Sequence, residues 1–164
     1  TIKLLASSKR DGDHLHAIVA PALLGNEHPL YSVNGVFNAV FVNGNMLGDA
    51  MFYGSGAGKL PTASAVVADV VDEAKHLHRN IMTNWSSRDL ELMDLDDVEG
   101  RFFVRVSDTT MDEVEKAFGD VQTIEPDNLP EEFGFITPKM KQADYKEKIS
   151  KLDGKVLAMI RVKD

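Results

Sequence analysis

The sequence predicts an α+β chain in two parts, and three observations carry that prediction. In the first half an Asn-Gly pair follows a β-branched, aromatic run that is answered by a second run. Directly after it, valines and alanines recur at helical spacing. In the second half short strand-like and helix-like runs follow one another in the order β-α-β-β-α-β. The reading places a first part at residues 1–80, a linker at 81–100 and a second part at 101–164.

Ile2 to Ala6 reads as a strand ended by Ser7-Ser-Lys-Arg-Asp-Gly12, and His14 to Ala20 as a second strand ahead of Pro21. Val36 to Val42 has the β-branched and aromatic character that strands favour. Asn43-Gly44 takes the positive φ angles of a tight turn, so Met46 to Tyr53 is expected to return as the partner strand of a hairpin. Gly54-Ser-Gly-Ala-Gly58 and Lys-Leu-Pro-Thr62 come next. Ala63, Val66, Val67, Val70, Val71, Ala74 and Leu77 then form one broad apolar face, predicting a helix from Ala63 to about His78. Pro61 and Thr62 suit its first positions, Thr62 as N-cap.

The linker is acidic, contains serines and ends at Gly100. Arg101 to Val106 then reads as a strand and Thr110 to Gly119 as a short helix with Met111, Val114 and Phe118 on one face. Asp108-Thr-Thr110 supplies capping groups and Gly119 a C-cap. Val121 to Glu125 and Gly134 to Thr137 read as strands, joined by a Pro- and acid-rich turn at 125–132. Gln142 to Leu152 is a second helix with Tyr145, Ile149 and Leu152 on one face, and Val156 to Val162 is a last strand. This order is that of the ferredoxin-like split motif, one antiparallel sheet with both helices on one face.

Composition excludes several classes. The 164 residues carry a net charge of −8, which argues against a nucleic-acid partner. There is no cysteine, hence no disulfide and no cysteine metal site; this fits a cytoplasmic protein. No apolar run reaches the roughly 18 residues of a membrane helix. The chain opens on Thr1, as expected of a piece of a longer protein.

The glycine loop is the stretch most suited to chemistry. Gly54, Gly56 and Gly58 free backbone N–H groups for close approach, and the helix that follows presents a positive end to an anion. The spacing is not that of the common dinucleotide fingerprint, and no Gly-Lys-Ser/Thr triplet exists. By spacing alone the loop is either a tight strand-to-helix turn or a ligand contact, with Lys59 within reach of a phosphate. His14 and His16 share a strand face without a third metal ligand nearby, so they read as a solvated pair. His76 and His78 diverge on a helix, and Asp69 and Asp72 read as its wet edge. Trp85 is a candidate for packing the two halves together.

The wording of the first half adds to this reading. His28-Pro-Leu-Tyr-Ser-Val-Asn-Gly-Val-Phe-Asn-Ala-Val-Phe-Val42, Gly48-Asp-Ala-Met-Phe-Tyr-Gly-Ser-Gly-Ala-Gly58 and Leu60-Pro-Thr-Ala-Ser-Ala-Val-Val-Ala-Asp69 closely resemble the end of the catalytic region of homoserine dehydrogenases. The resemblance covers about residues 1 to 80; from about Arg101 the chain resembles, by pattern, the ACT regulatory domain of many bacterial members. It implies the C-terminal portion of a mixed α/β catalytic domain followed by a ferredoxin-like βαββαβ ACT domain. It also implies part of an oxidoreductase that uses NADP or NAD to reduce aspartate semialdehyde to homoserine, toward threonine, methionine and isoleucine. In the family the glycine loop approaches the cofactor. Gly58 is therefore the leading cofactor contact, with Gly56 and Gly54 behind it. The family's dinucleotide fingerprint and its substrate-binding lysine and acids do not occur here, so no catalytic residue is assigned and the chain alone is expected to be inactive.

ACT domains commonly bind an amino acid near the loop between first strand and first helix, where an Asp-x-Pro-Gly stretch is frequent. Here Asp108 matches the acid, and Thr110-Met111 stands in place of Pro-Gly. Asp108 and Thr109 are candidate contacts for an effector such as threonine; the same residues serve equally as helix caps. The first part would normally complete a sheet made largely by residues outside this chain, so it is expected to expose apolar surface and pair with another copy, a homo-oligomer without nucleic-acid or membrane partners. The rival reading is a free-standing ACT-type amino-acid-binding regulator with no enzymatic role.

Overall fold

The computed structural model describes residues 1–125 and 131–163. The chain forms two compact units, Thr1–Gly25 with Leu90–Asp164, and Asn26–Asp89. These do not follow the boundaries read from sequence, because the first two strands belong to the sheet built by the second half.

That sheet opens with a long hairpin, β1 (Ile2–Asp11) and β2 (His14–Leu24), paired antiparallel over their whole length. A short β5 (Glu91–Leu92) and a 3-10 turn at Leu95–Asp97 lead into β6 (Glu99–Ser107). Then follow α2 (Met111–Phe118), β7 (Gln122–Ile124), β8 (Glu132–Ile136), β9 (Met140–Lys141), α3 (Gln142–Ser150) and β10 (Lys155–Lys163). The strand order is β1-β2-β10-β6-β8-β7. Within it β10-β6-β8-β7, with α2 and α3 as crossovers, is the β-α-β-β-α-β arrangement read from sequence. The turn expected at 125–132 lies largely outside the described residues.

The core explains the order. Phe102, Val104 and Val106 alternate on β6 and are fully buried, as their period of two requires when one face is covered. Val114 and Phe118 of α2 and Tyr145 of α3 cover them, and Phe135 of β8 completes the cluster. Phe102 stacks on Tyr145 with centroids 4.5 Å apart. Thr137 is buried but satisfied: its Oγ1 accepts the Phe102 N–H at 3.1 Å and its own N–H reaches the Phe102 carbonyl at 2.9 Å.

β2 was expected to stop before Pro21, yet it runs on to Leu24. Leu24 exchanges hydrogen bonds with Thr1, so even-numbered residues of β2 face β1 and Pro21 turns its nitrogen to the opposite edge. There β2 pairs only with β5 at His14–Leu15 and with β10 at Ala22–Leu24. No ladder hydrogen bond is lost at a proline placed in the gap between them.

The second unit contains β3 (Phe37–Gly44), β4 (Gly48–Ser55) and α1 (Lys59–Lys75). The hairpin is as expected, but its turn lies at residues 45–47, not at Asn43-Gly44. Gly44 pairs with Gly48, whose φ of +73° closes a three-residue loop, and Asn43 stays in the ladder with its amide on Asp49 at 2.6 Å. α1 begins four residues before the expected Ala63, with Gly58 rather than Thr62 at its N-cap. No residue of this unit is buried. The apolar face of α1 stands open, with Val66, Val67, Val70 and Val71 each at least 44% exposed. Trp85, the candidate for packing, is 88% exposed.

Candidate functional site

The glycine loop is built by the end of β4 and the start of α1. Gly54 still sits in β4 opposite Asn38, and nothing would obstruct a side chain there. Gly56 is different: a Cβ would overlap the Asn38 side-chain amide. Gly58 is required by its φ of +122°, whereas Pro61 Cδ, 3.4 Å from where its Cβ would stand, would make an ordinary contact. The three glycines thus divide into one that shapes the helix start, one that admits Asn38, and one left open.

The start of α1 suits an anion. Thr62 N–H donates to the Gly58 carbonyl at 3.1 Å and Pro61 has no N–H, so Lys59 and Leu60 keep first-turn donors without an intrahelical partner. Gly58 has no side chain to cap them, and no acidic residue stands in the first turn. The positive end of the helix is therefore not neutralised by the chain itself, the condition under which such a terminus accepts phosphate. Lys59 begins the helix and adds a cation of the same use. A phosphate group fits this donor set.

The second candidate, Ser107–Thr110, leads from β6 into α2. Thr110 is the N-cap, its Oγ1 accepting the Glu113 N–H at 3.3 Å while Glu113 Oε2 accepts the Thr110 N–H at 2.8 Å. Thr109 donates to the same carboxylate at 2.9 Å. The backbone bond from Thr110, then the hydroxyls of Thr109 and Thr110, hold the Glu113 carboxyl below its ordinary range. Asp108 adopts φ +56° and accepts from Ser107 Oγ at 3.1 Å. Across the loop Gly154 permits close approach, since a Cβ there would lie 2.7 Å from Thr109 Cβ. The structure thus engages Thr109 in the capping network, and Asp108 in the loop's own hydrogen bond.

Thr110→Ala is expected to remove about 1 kcal/mol of stability, read as a lower urea midpoint with unchanged slope. Because the folded-state pKa of Glu113 is depressed, its contribution is complete above the ordinary carboxylate pKa of 4.5 and is lost as pH falls through the lower folded value. Thr110→Ala should therefore narrow its stability gap to the parent chain at acid pH.

Of the remaining candidates, His14 lies 3.6 Å from Glu91 at the surface. His16 on the same strand is only partly exposed; burial first, then Arg161 and Lys163, lower its pKa. No group of three metal-binding side chains occurs among the described residues, and no helix is long and apolar enough to cross a membrane. Sequence reasoning passed over Arg161 and Lys163. They alternate with Ile160 and Val162 along β10, and only the pairing of β10 with β2 explains their place near His16.

The homoserine dehydrogenase family model matches residues 1–71, a stretch that contains the whole glycine loop. Over that stretch the chain is similar to homoserine dehydrogenases. The homoserine dehydrogenase of Bacillus subtilis is 44% identical over 84 residues, covering 51% of this chain and 19% of that protein. That of Neisseria gonorrhoeae is 37% identical over 113 residues, covering 64% of this chain and 26% of the relative. In three dimensions the chain is similar to the homoserine dehydrogenase of Thiobacillus denitrificans, with a TM-score of 0.77 and 26% identity. That likeness covers 99% of this chain and 42% of the solved one. The chain thus spans about a fifth to a quarter of these two curated homoserine dehydrogenases.

Proposed function

We propose that this chain is the C-terminal part of a homoserine dehydrogenase that reduces aspartate semialdehyde to homoserine with NADPH or NADH, in the cytoplasm and toward threonine, methionine and isoleucine. The observation that carries the reading is the glycine loop. It lies inside the matched 71 residues, and its helix start is uncapped and free of acids. The cofactor, when bound, supplies the hydride. The chain's share is positional: first-turn N–H groups of α1 and Lys59 hold a phosphate, Gly58 gives the backbone turn, and Gly56 with Asn38 sets the path of the loop. No residue of the chain is assigned to the proton transfer.

The open face of α1 and the two-stranded hairpin support assembly with the rest of the enzyme and with a second copy, since neither element buries its apolar side within its own unit. The β-α-β-β-α-β part is proposed to act as an ACT-type regulatory domain, with Asp108 and Thr109 as contacts for an amino acid such as threonine.

Two measurements test this. The purified chain should give no turnover of aspartate semialdehyde with NADPH or NADH; turnover would overthrow the division of labour. Calorimetric titration with threonine should show saturable heat that Asp108→Ala removes. A flat titration would take the effector role from this loop.

A further inference from the structure

The strand gap in the first unit opens into a cleft. β2 leaves β5 after Leu15 and meets β10 only at Ala22, so residues 16–21 have no strand partner on that edge among the described residues. Beside them lies a cleft of about 220 Å³, bounded by the β1–β2 hairpin, the segment from Leu95 to Arg101, and the end of β10. It is smaller than the ~300–1,000 Å³ that drug-sized ligands occupy, and so suits a molecule the size of an amino acid.

The lining has two characters. The register places Lys9 opposite His16 and Leu5 opposite Ala20, so Leu5 and Ile18 share an apolar floor with a cation at one end. From β10, Arg161 and Lys163, two apart, enter on one side. Lys9 and Lys163 have no ion pair among the described residues. The acid in the lining, Glu99, lies 3.5 Å from Lys139 in an exposed ion pair. Arg161 is fixed in place, its guanidinium 5.4 Å over the Phe102 ring and bonded to the Gln142 side-chain oxygen. The positive character of the cleft also shows in His16, which burial and then these two β10 cations hold towards the neutral form. In a chain of net charge −8, a preformed cationic cleft with an apolar floor is unlike the rest of the surface.

We propose that this cleft binds a small carboxylate with a short apolar chain, its carboxylate on Arg161 and Lys163 with Lys9 at the rim, and its apolar part on Leu5 and Ile18. The site is separate from the glycine loop and from Asp108–Thr109, and it does not rest on the dehydrogenase reading. An apolar floor favours a carbon chain over a bare inorganic anion, and a planar guanidinium matches a carboxylate in two-point contact.

The test uses the intact chain with isovalerate as probe, inorganic phosphate as an anion lacking an apolar part, and isoamyl alcohol as the uncharged counterpart. Carbon-detected titration follows the His16 ring and the Ile18 and Leu5 methyl groups. Isovalerate should saturate both sets of signals and raise the His16 pKa, by placing a negative charge beside it. Lys9→Met/Lys163→Met should weaken the affinity about tenfold or more, as loss of charge-assisted contacts requires. Both lysines are at the surface, so the variant keeps the core, and its unchanged urea midpoint confirms that. The proposal is overturned if isovalerate does not saturate, if phosphate binds as well without moving the methyl groups, if the alcohol binds equally, or if the double variant retains full affinity.

Discussion

Phe102→Ala is expected to cost the first unit about 3–5 kcal/mol, the usual loss for deleting a buried aromatic ring. Phe102 is fully buried at the centre of β6, stacked on Tyr145 and covered by the Arg161 guanidinium. Removing the ring opens a cavity that α3 cannot close, because Gln142 and Lys146 tie its start to Asp96. Since whole small domains hold only about 5–15 kcal/mol, the variant should lie near the edge of folding. Urea denaturation followed by far-ultraviolet circular dichroism reads the effect. A loss below about 1 kcal/mol would mean that the sheet-and-helix packing described here is not the one adopted in solution.

The second large effect is a contrast inside one chain. Backbone amides of α1 and the β3–β4 hairpin should exchange with solvent orders of magnitude faster than those of β6. No residue from Asn26 to Asp89 is buried, a two-stranded hairpin is marginal in water, and an isolated helix of 17 residues is little better. β6 is paired on both sides, by β10 and β8, and carries three fully buried side chains. Hydrogen exchange followed by mass spectrometry should find Lys59–Lys75 unprotected within seconds and Phe102–Val106 protected for hours or longer. Equal protection would show that α1 has found a partner in this chain or in another copy of it.

The contrast also explains what was legible in the sequence. The second half could be read nearly element by element, because Phe102, Val104 and Val106 on β6 and Val114 and Phe118 on α2 announce their buried faces through periods of 2 and 3.6. The valines of α1 announce a face just as clearly, but period says only that a face is apolar, not what covers it. Strand partnership was not legible at all. Nothing local in Ile2–Leu24 says that it joins the last strand of the chain, and Pro21 argued for an end that a gap in the ladder makes unnecessary. For the same reason Arg161 and Lys163 gave no signal as a pair with His16. At the glycine loop, spacing left turn and ligand contact open. The positive φ of Gly58 and the Asn38 approach at Gly56 supply turn reasons for two glycines, while the uncapped helix start supplies the ligand reason.

The most direct test of the central claim grafts this chain onto the part of the Thiobacillus denitrificans homoserine dehydrogenase that it does not cover, and measures reduction of aspartate semialdehyde with NADPH and NADH. The chain should restore turnover, and Gly58→Val should abolish it or raise the Michaelis constant for the cofactor about tenfold or more, because a β-branched residue cannot adopt φ near +122° at the head of α1. A folded chimera without turnover, or one in which Gly58→Val changes nothing, would contradict the assignment of this loop to the cofactor.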